Sequence, residues 1–222
     1  MDVGSIIQSI AIAALPVIFA ITLHEAAHGY VARHFGDPTA WQAGRISLNP
    51  LRHIDPVGTL LVPAVILITS YVAAGSAMLF GWAKPVPVDF GRLRQPKRDM
   101  LWVALAGPAT NLFMALVWAL LFKLAWLTAP SLYSQPLAEM SVIGININLV
   151  LMVLNLIPLP PLDGGRIAVS LLPYRLALPF SRLERWGFPI LLLLMFTGVL
   201  GELIWPIVAL FKGFIVILFQ LR

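Results

Sequence analysis

The stretch IIQSIAIAALPVIFAITLHEAAHGYVAR, residues 6–33, decides the fold of this chain. It is apolar from Ile6 to Tyr30, and a helix needs only about 20 mostly apolar residues to cross the hydrocarbon core of a bilayer. Arg33 ends the apolar run, and the pentapeptide HEAAH, residues 24–28, lies inside it. The stretch therefore predicts a membrane-spanning helix with ionisable side chains, which are costly in that environment and usually functional.

The composition of the 222 residues agrees with this prediction. Hydrophobic residues make up 59% of the chain and charged residues 11%, whereas an ordinary soluble domain is about a quarter charged and roughly 45–50% apolar. The net charge of +5 does not indicate nucleic-acid binding, because the basic residues stand in short patches between apolar stretches. The chain has no cysteine, which excludes disulfides and thiolate metal ligands.

Five further apolar stretches follow the first one. They cover residues 57–80, 100–127, 140–157, 188–200 and 203–221. We therefore expect an all-α polytopic membrane protein with about five to six transmembrane segments. The whole chain, residues 1–222, is predicted to form a single integral-membrane domain. Its last two apolar stretches are predicted to form a C-terminal helical hairpin, at about residues 188–221, that turns at Gly201-Glu202.

The distribution of Lys and Arg orients these segments. The stretches 33–55, 84–98 and 166–185 are basic, whereas residues 128–139 contain no Lys or Arg. By the positive-inside rule, the basic stretches face the cytoplasm and the loop 128–139 faces the opposite side. Residues 57–80 have basic stretches on both flanks. This pattern predicts a re-entrant segment, which enters and leaves the membrane through the same face.

The pentapeptide HEAAH is typical of a catalytic zinc site. Residues four apart point from one face of a helix, so His24 and His28 can bind the same metal ion. Two His with one further ligand leave the fourth zinc position open for water, and Glu25 can take a proton from that water. The alternative is a chance occurrence of three polar residues, but burying them in an apolar helix without a partner would cost several kcal/mol.

Asp163 is the candidate third ligand, in the stretch NLIPLPPLDGGR of residues 155–166. The prolines of this stretch forbid a regular helix, and Gly164 and Gly165 let the backbone turn sharply and approach a site closely. The alternative is a helix-terminating turn in which Asp163 only accepts hydrogen bonds from backbone amides. Asp163 and the two His fall at the same, cytoplasmic side of the membrane, which favours the metal site.

These two motifs together resemble a known family. HEAAH in an apolar helix, followed far downstream by Asn155 and the PLDG of residues 161–164, resembles the site-2 protease family of intramembrane zinc proteases. Gly107-Pro108-x-x-Asn111 is similar to another recurring element of that family. Residues 44–50 and 81–88 are similar to its compact subgroup, which lacks the PDZ and CBS domains of other relatives.

The resemblance implies a zinc site and roles for five residues. It implies one zinc ion per chain, held by His24, His28 and Asp163, with Glu25 as general base and Asn155 binding or orienting the substrate backbone. From the residues alone, Asn111 is interpreted as an amide that packs membrane helices together. Residues 44–48 and 84–88 are candidate β-like edges near the active site that could hold an extended substrate.

We therefore predict a zinc-dependent intramembrane endopeptidase that cleaves transmembrane segments of other membrane proteins. Its catalytic core is expected at about residues 6–170, in a bacterial inner membrane, with the active site toward the cytoplasm. The predicted partners are a transmembrane protein substrate and the lipid bilayer, without nucleic acid. A divalent-cation transporter is the first alternative, although a transport path should show polar residues along several helices and a paired repeat. An inactive relative that only binds membrane helices is the second, although its motif would usually be damaged.

Overall fold

The structure is a computed structural model that describes residues 3–74, 81–127 and 133–221. Within these residues it contains nine α-helices: α1 (Val3–His34), α2 (Thr39–Gln42), α3 (Val62–Ala74), α4 (Pro96–Leu127), α5 (Ser134–Leu156), α6 (Asp163–Leu171), α7 (Tyr174–Ser181), α8 (Glu184–Phe196) and α9 (Val199–Phe219). Turns of 3-10 helix at Pro50–His53 and Phe90–Arg92 and a π-helical turn at Pro56–Leu61 lie between them. The described residues form no β-strand, so the segments 44–48 and 84–88 are irregular chain.

Four of the described helices are long and apolar enough to cross a membrane. The spans are Ala11–His34, Pro96–Leu127, Ser134–Asn155 and Val199–Phe219. The prediction of an all-α polytopic membrane protein is confirmed. Of the other apolar stretches, α8 has 13 residues and is about 20 Å long at 1.5 Å per residue. It is therefore too short for a hydrocarbon core of roughly 30 Å.

The core of the molecule is formed by α1, α4 and α5, which pack along one another. Ala115, Trp118 and Leu149 are buried where α4 meets α5. Gly144 allows a close approach of these helices, because a Cβ at this position would lie 2.3 Å from the Trp118 ring. Small residues of this kind bring helices together in a membrane, where lipid supplies little hydrophobic driving force for association. The packing of these three helices positions the residues of the candidate site.

The described residues at the start of the apolar stretch 57–80 lie beside those that follow it. The N–H of Trp82 donates to the carbonyl oxygen of Gly58 (3.0 Å), and the N–H of Lys84 donates to the carbonyl oxygen of His53 (2.9 Å). The π-helical turn and α3 lie between these contacts, and residues 75–80 are outside the described part of the chain. These contacts bring the two ends of the segment together, as a re-entrant segment requires, and the membrane topology itself stays a prediction.

The helices α8 and α9 meet at Gly198, which has the left-handed conformation (φ 81°) that favours glycine. The turn predicted at Gly201-Glu202 is therefore wrong, because both residues lie inside the first turn of α9. The turn between α8 and α9 is marked by Gly198 alone and not by the Gly201-Glu202 dipeptide. At its other end, α8 packs on the proline-rich stretch before Asp163, since a Cβ at Gly187 would lie 1.7 Å from the carbonyl oxygen of Pro160.

Candidate metal centre

Three of the predicted site residues come together between α1 and the start of α6. The rings of His24 and His28 lie 4.7 Å apart, edge to face, on one side of α1. Asp163 is the first residue of α6, and its Oδ2 lies 3.3 Å from the Nε2 atoms of both His. The possible ligand atoms of the three residues all lie within 4.8 Å of one another. His24 and Asp163 are buried, and His28 is half-buried.

The hydrogen bonds of the two imidazoles show which ring nitrogens carry the protons. His24 Nδ1 lies 2.6 Å from Asn111 Oδ1, and His28 Nδ1 lies 2.7 Å from the carbonyl oxygen of Val103. Both oxygens can only accept, so both Nδ1 atoms donate. In the neutral imidazoles, each Nε2 therefore presents a bare lone pair, and these two atoms are 3.1 Å apart.

The buried Oδ2 of Asp163 has no hydrogen-bond partner among the described residues. Three lone-pair atoms thus converge on one point without a donor between them, an arrangement that a cation relieves. Two imidazole nitrogens and one carboxylate oxygen are a ligand set typical of catalytic zinc, which keeps a further position open. The residues present therefore fit a zinc ion.

The protonation of Asp163 agrees with this interpretation. Burial alone would raise the pKa of the Asp163 carboxyl, but its contacts with His24 and His28 hold that pKa well below its usual range. The carboxylate is therefore ionised at neutral pH.

Glu25 lies beside the three candidate ligands and is held by residues 82–90, which are irregular up to Asp89 and which we name the strap. The N–H of Val86 donates to Glu25 Oε2 at 2.8 Å. Further along the strap, the N–H of Asp89 donates to Oδ2 of the fully buried Asp37 at 2.7 Å. Arg45 donates to the carbonyl oxygen of Lys84 at 2.7 Å. The strap is thus tied to α1 at Glu25 and to the chain just beyond α1 at Asp37.

These groups line one cavity of about 130 Å³. Its wall includes Glu25, both His, Asp163, Asn155, Arg166 and part of the strap. Asn155 is half-buried, and its Nδ2 donates to the carbonyl oxygen of Leu151 at 3.0 Å. Asn155 is therefore beside the metal centre without belonging to the ligand set. The cavity brings together all five of the predicted site residues.

Two residues of α4 have a larger part in this site than the sequence interpretation gave them. Asn111 is completely buried and contacts His24, so it does more than pack helices. A Cβ at Gly107 would lie 2.5 Å from both His24 and His28, so only glycine leaves room for the two rings. The spacing of four residues places Gly107 and Asn111 on one face of α4, which is the available sequence signal.

Comparison with known proteins places the chain among zinc metalloproteases. The family model described as peptidase family M50 matches residues 126–198. The chain is 37% identical over 195 residues to "Putative zinc metalloprotease YwhC" of Bacillus subtilis, covering 86% of this chain and 83% of that protein. It is 29% identical over 198 residues to "Putative zinc metalloprotease Rip2" of Mycolicibacterium smegmatis, covering 89% of this chain and 71% of that protein. No solved structure shows a significant match.

Proposed function

This chain belongs to peptidase family M50, the site-2 protease family of membrane zinc metalloproteases, and from that premise we propose that it cleaves transmembrane segments of other membrane proteins inside the bilayer. The observation that carries the proposal is the convergence of three lone-pair atoms beside Glu25. These groups are held at the end of a membrane-spanning helix, α1, where a substrate segment in the bilayer can reach them. The proposed protease comprises a catalytic core at about residues 6–170 and the helices α8 and α9.

His24, His28 and Asp163 would hold one zinc ion per chain. Zinc, when bound, supplies a Lewis acid that makes water nucleophilic near neutral pH and polarises the scissile carbonyl. His24 and His28 donate their Nδ1 protons away from the centre, which keeps both Nε2 atoms directed into it. Asp163 brings a negative charge that partly offsets the charge of the metal.

Glu25 is the proposed general base. It takes a proton from the attacking water and delivers it to the departing amine nitrogen. The hydrogen bond from Val86 engages Oε2 and leaves Oε1 for the proton transfer. The strap thus sets the direction of the carboxylate.

The proposed substrate must be unwound where it is cut. A helix hides its carbonyl groups in its own hydrogen bonds and is about 10–12 Å wide with its side chains. A cavity of about 130 Å³ therefore fits an extended stretch of backbone rather than a helix. Asn155 in the cavity wall can bind or orient that backbone, and the irregular segments 44–48 and 84–88 offer candidate edges for an extended chain.

We place the protein in a bacterial inner membrane with the site toward the cytoplasm. The support is the positive charge of residues 33–55, 84–98 and 166–185, which flank the site. The loop 128–139, without Lys or Arg, would face the opposite side. The partners of the protein are then the bilayer and a membrane-spanning substrate protein.

The proposal is tested with the full chain in liposomes that also contain a set of single-span test proteins. We expect Glu25→Gln to lower cleavage by at least about 10²-fold while about one zinc per chain is retained. His24→Ala, His28→Ala and Asp163→Ala should lose both zinc and cleavage. The matched control is His34→Ala, because His34 lies six residues after His28 and contacts Phe35 instead of the site.

Three outcomes would contradict the proposal. Cleavage by Glu25→Gln at the wild-type rate would exclude Glu25 as the base. Full zinc content in His28→Ala would exclude the ligand set. Transport of zinc across the liposome membrane, without cleavage of any test protein by the wild type, would favour the transporter instead.

A further inference from the structure

Two completely buried asparagines connect the metal centre to the middle of the helix core. Asn111 of α4 accepts from His24 Nδ1 at 2.6 Å through Oδ1. Its Nδ2 donates to Asn148 Oδ1 at 3.0 Å and to the carbonyl oxygen of Ala20 at 3.2 Å. Asn148 of α5 donates in turn to the carbonyl oxygen of Gly144 at 2.8 Å. The hydrogen bonds therefore run without interruption from Gly144 through both amides to His24.

This chain of hydrogen bonds has only one consistent direction. The carbonyl oxygens of Gly144 and Ala20 can only accept, so the amide group that faces each of them must be the NH₂ group. Asn148 therefore directs Nδ2 to Gly144 and Oδ1 to Asn111. Asn111 must then give both of its hydrogens to Asn148 and Ala20, which leaves its Oδ1 for His24.

The direction of the Asn111 amide decides where His24 carries its proton. With Oδ1 toward the ring, His24 donates from Nδ1 and keeps a bare lone pair on Nε2, the atom that faces Asp163. If the amide turned over, its NH₂ group would require a lone pair on Nδ1 and would favour a proton on Nε2. That form of His24 cannot bind a metal through Nε2. His28 needs no such control, because its partner is a backbone carbonyl, which cannot turn over.

We propose that Asn148 and Asn111 are positioning residues that keep Nε2 of His24 available to the metal by fixing the direction of this hydrogen-bond chain. The inference rests on the proposed zinc site and extends it to α5, where Asn148 does not approach a ligand directly. Removal of the group that is hydrogen-bonded to a metal-binding imidazole typically lowers metal affinity by about 10–100-fold. Asn148, which selects the orientation of the Asn111 amide, should act through the same equilibrium between the two proton positions on His24.

The test measures zinc affinity of the purified full chain by competition with a chromophoric chelator. Asn148→Leu should weaken zinc binding by about tenfold, and Asn111→Leu by about 10–100-fold. Asn148→Ser provides a second variant at the same position. Its hydroxyl can donate to the carbonyl four residues earlier, as Ser141 does to Leu137, but it is one atom too short to replace the contact with Asn111. It should lose about as much affinity as Asn148→Leu.

A double-mutant cycle separates orientation from packing. A carboxylate at position 111 has two equivalent acceptor oxygens and no hydrogen to donate, so Asn111→Asp removes the bond to Asn148 Oδ1 and leaves no amide direction to select. In the Asn111→Asp background, Asn148→Leu should therefore cost less than about twofold in zinc affinity, against about tenfold in the wild type. Ser141→Ala is the control, because Ser141 is equally buried on α5 and bonds only within its own helix.

The outcomes distinguish failure of this inference from failure of the proposed zinc site. Equal losses for Asn148→Leu in both backgrounds, or wild-type affinity of Asn148→Leu and Asn148→Ser, would overturn the proposal. The zinc site itself would still stand if His24→Ala and His28→Ala lose zinc in the same assay. Wild-type zinc binding by His24→Ala would instead overturn the proposed site from which the inference starts.

Discussion

The two halves of the site are built in different ways. In the metal half, His24, His28 and Asp163 stand on helices, and the two imidazoles are backed by contacts with α4. In the base half, Glu25 is held by a backbone N–H of the strap. The metal half is rigid because regular helices fix its side chains, whereas the base half depends on the path of an irregular segment. We therefore expect changes in the first half to remove zinc and changes in the second half to slow cleavage with zinc retained.

The largest effect is expected for Gly107→Ala, which changes the metal half without removing a ligand. The new Cβ would lie 2.5 Å from both imidazoles, so the rings must move away from their common point. We expect zinc affinity to fall by about 100-fold and cleavage to be lost, with helix content unchanged. Zinc competition, a cleavage assay and circular dichroism measure the three quantities.

Gly213→Ala is the matched control for this change. It is also a glycine inside an apolar helix, but a Cβ there has nothing within 4 Å. It should bind zinc and cleave like the wild type. Wild-type zinc affinity in Gly107→Ala would show that the rings tolerate displacement, and the contrast between a rigid and an adaptable half would fail.

The same contrast explains which parts of the site could be predicted from sequence. His24, Glu25 and His28 follow from helical spacing in an apolar segment, and Asp163 from a proline-rich and glycine-rich turn at the same membrane face. Their roles in zinc binding and catalysis remain predictions, whereas their proximity is a feature of the structure. The re-entrant path of residues 57–80, predicted from charge on both flanks, stays a prediction.

Other contacts left no readable signal in the sequence. The bond from Val86 to Glu25 uses a backbone N–H, which every residue except proline has, so no side chain indicates it. Asn111 and Asn148 lie on apolar helices, where buried amides commonly pack helices together, so their spacing alone could not separate orientation from packing. The end of α8 depends on one glycine conformation, Gly198, whereas the sequence interpretation placed the turn at Gly201-Glu202.

Asn155→Leu should have the next largest effect, and it concerns the cavity wall between the two halves. If Asn155 binds the substrate backbone, the leucine variant should cleave about 10²-fold more slowly, because one polar partner of the reacting group is lost. Zinc content and thermal stability should remain close to the wild type. Turnover, metal analysis and thermal melting measure these effects. A drop in stability that matches the loss of activity would favour a packing role.

A smaller effect is expected for Asp37→Ala, which changes the base half alone. Asp37 accepts from the N–H groups of Asp89 and Thr39, so its loss releases the strap beyond Val86. We expect about tenfold slower cleavage, unchanged zinc affinity and a free energy of unfolding lower by about 1–3 kcal/mol. Thr39→Ala is the control, because it removes a bond to Asp37 without touching the strap. Loss of zinc in Asp37→Ala would mean that the two halves are not separable.

The smallest effect on activity is expected for single-cysteine variants that report the membrane topology of both halves. The chain has no cysteine, so single cysteines at Leu51, Gln95 and Tyr133 report their side of the membrane through an impermeant thiol reagent. All three residues are exposed in the structure, and the variants should cleave normally. The first two should react from the cytoplasmic side and the third only from the opposite side. Labelling of positions 51 and 95 from opposite sides would exclude the re-entrant segment.

The closed path of residues 58–82 also bears on how a gene for this protein can change. Because Trp82 is hydrogen-bonded to Gly58, a two-residue turn is enough to join these positions. Among the described residues of this segment, α3 packs mainly against the π-helical turn beside it. We therefore expect that deletion of the DNA for the intervening residues shortens the product without shifting α1, α4 or α5. On this expectation, a single recombination event could add, delete or exchange the segment while the helices that carry the site keep their arrangement.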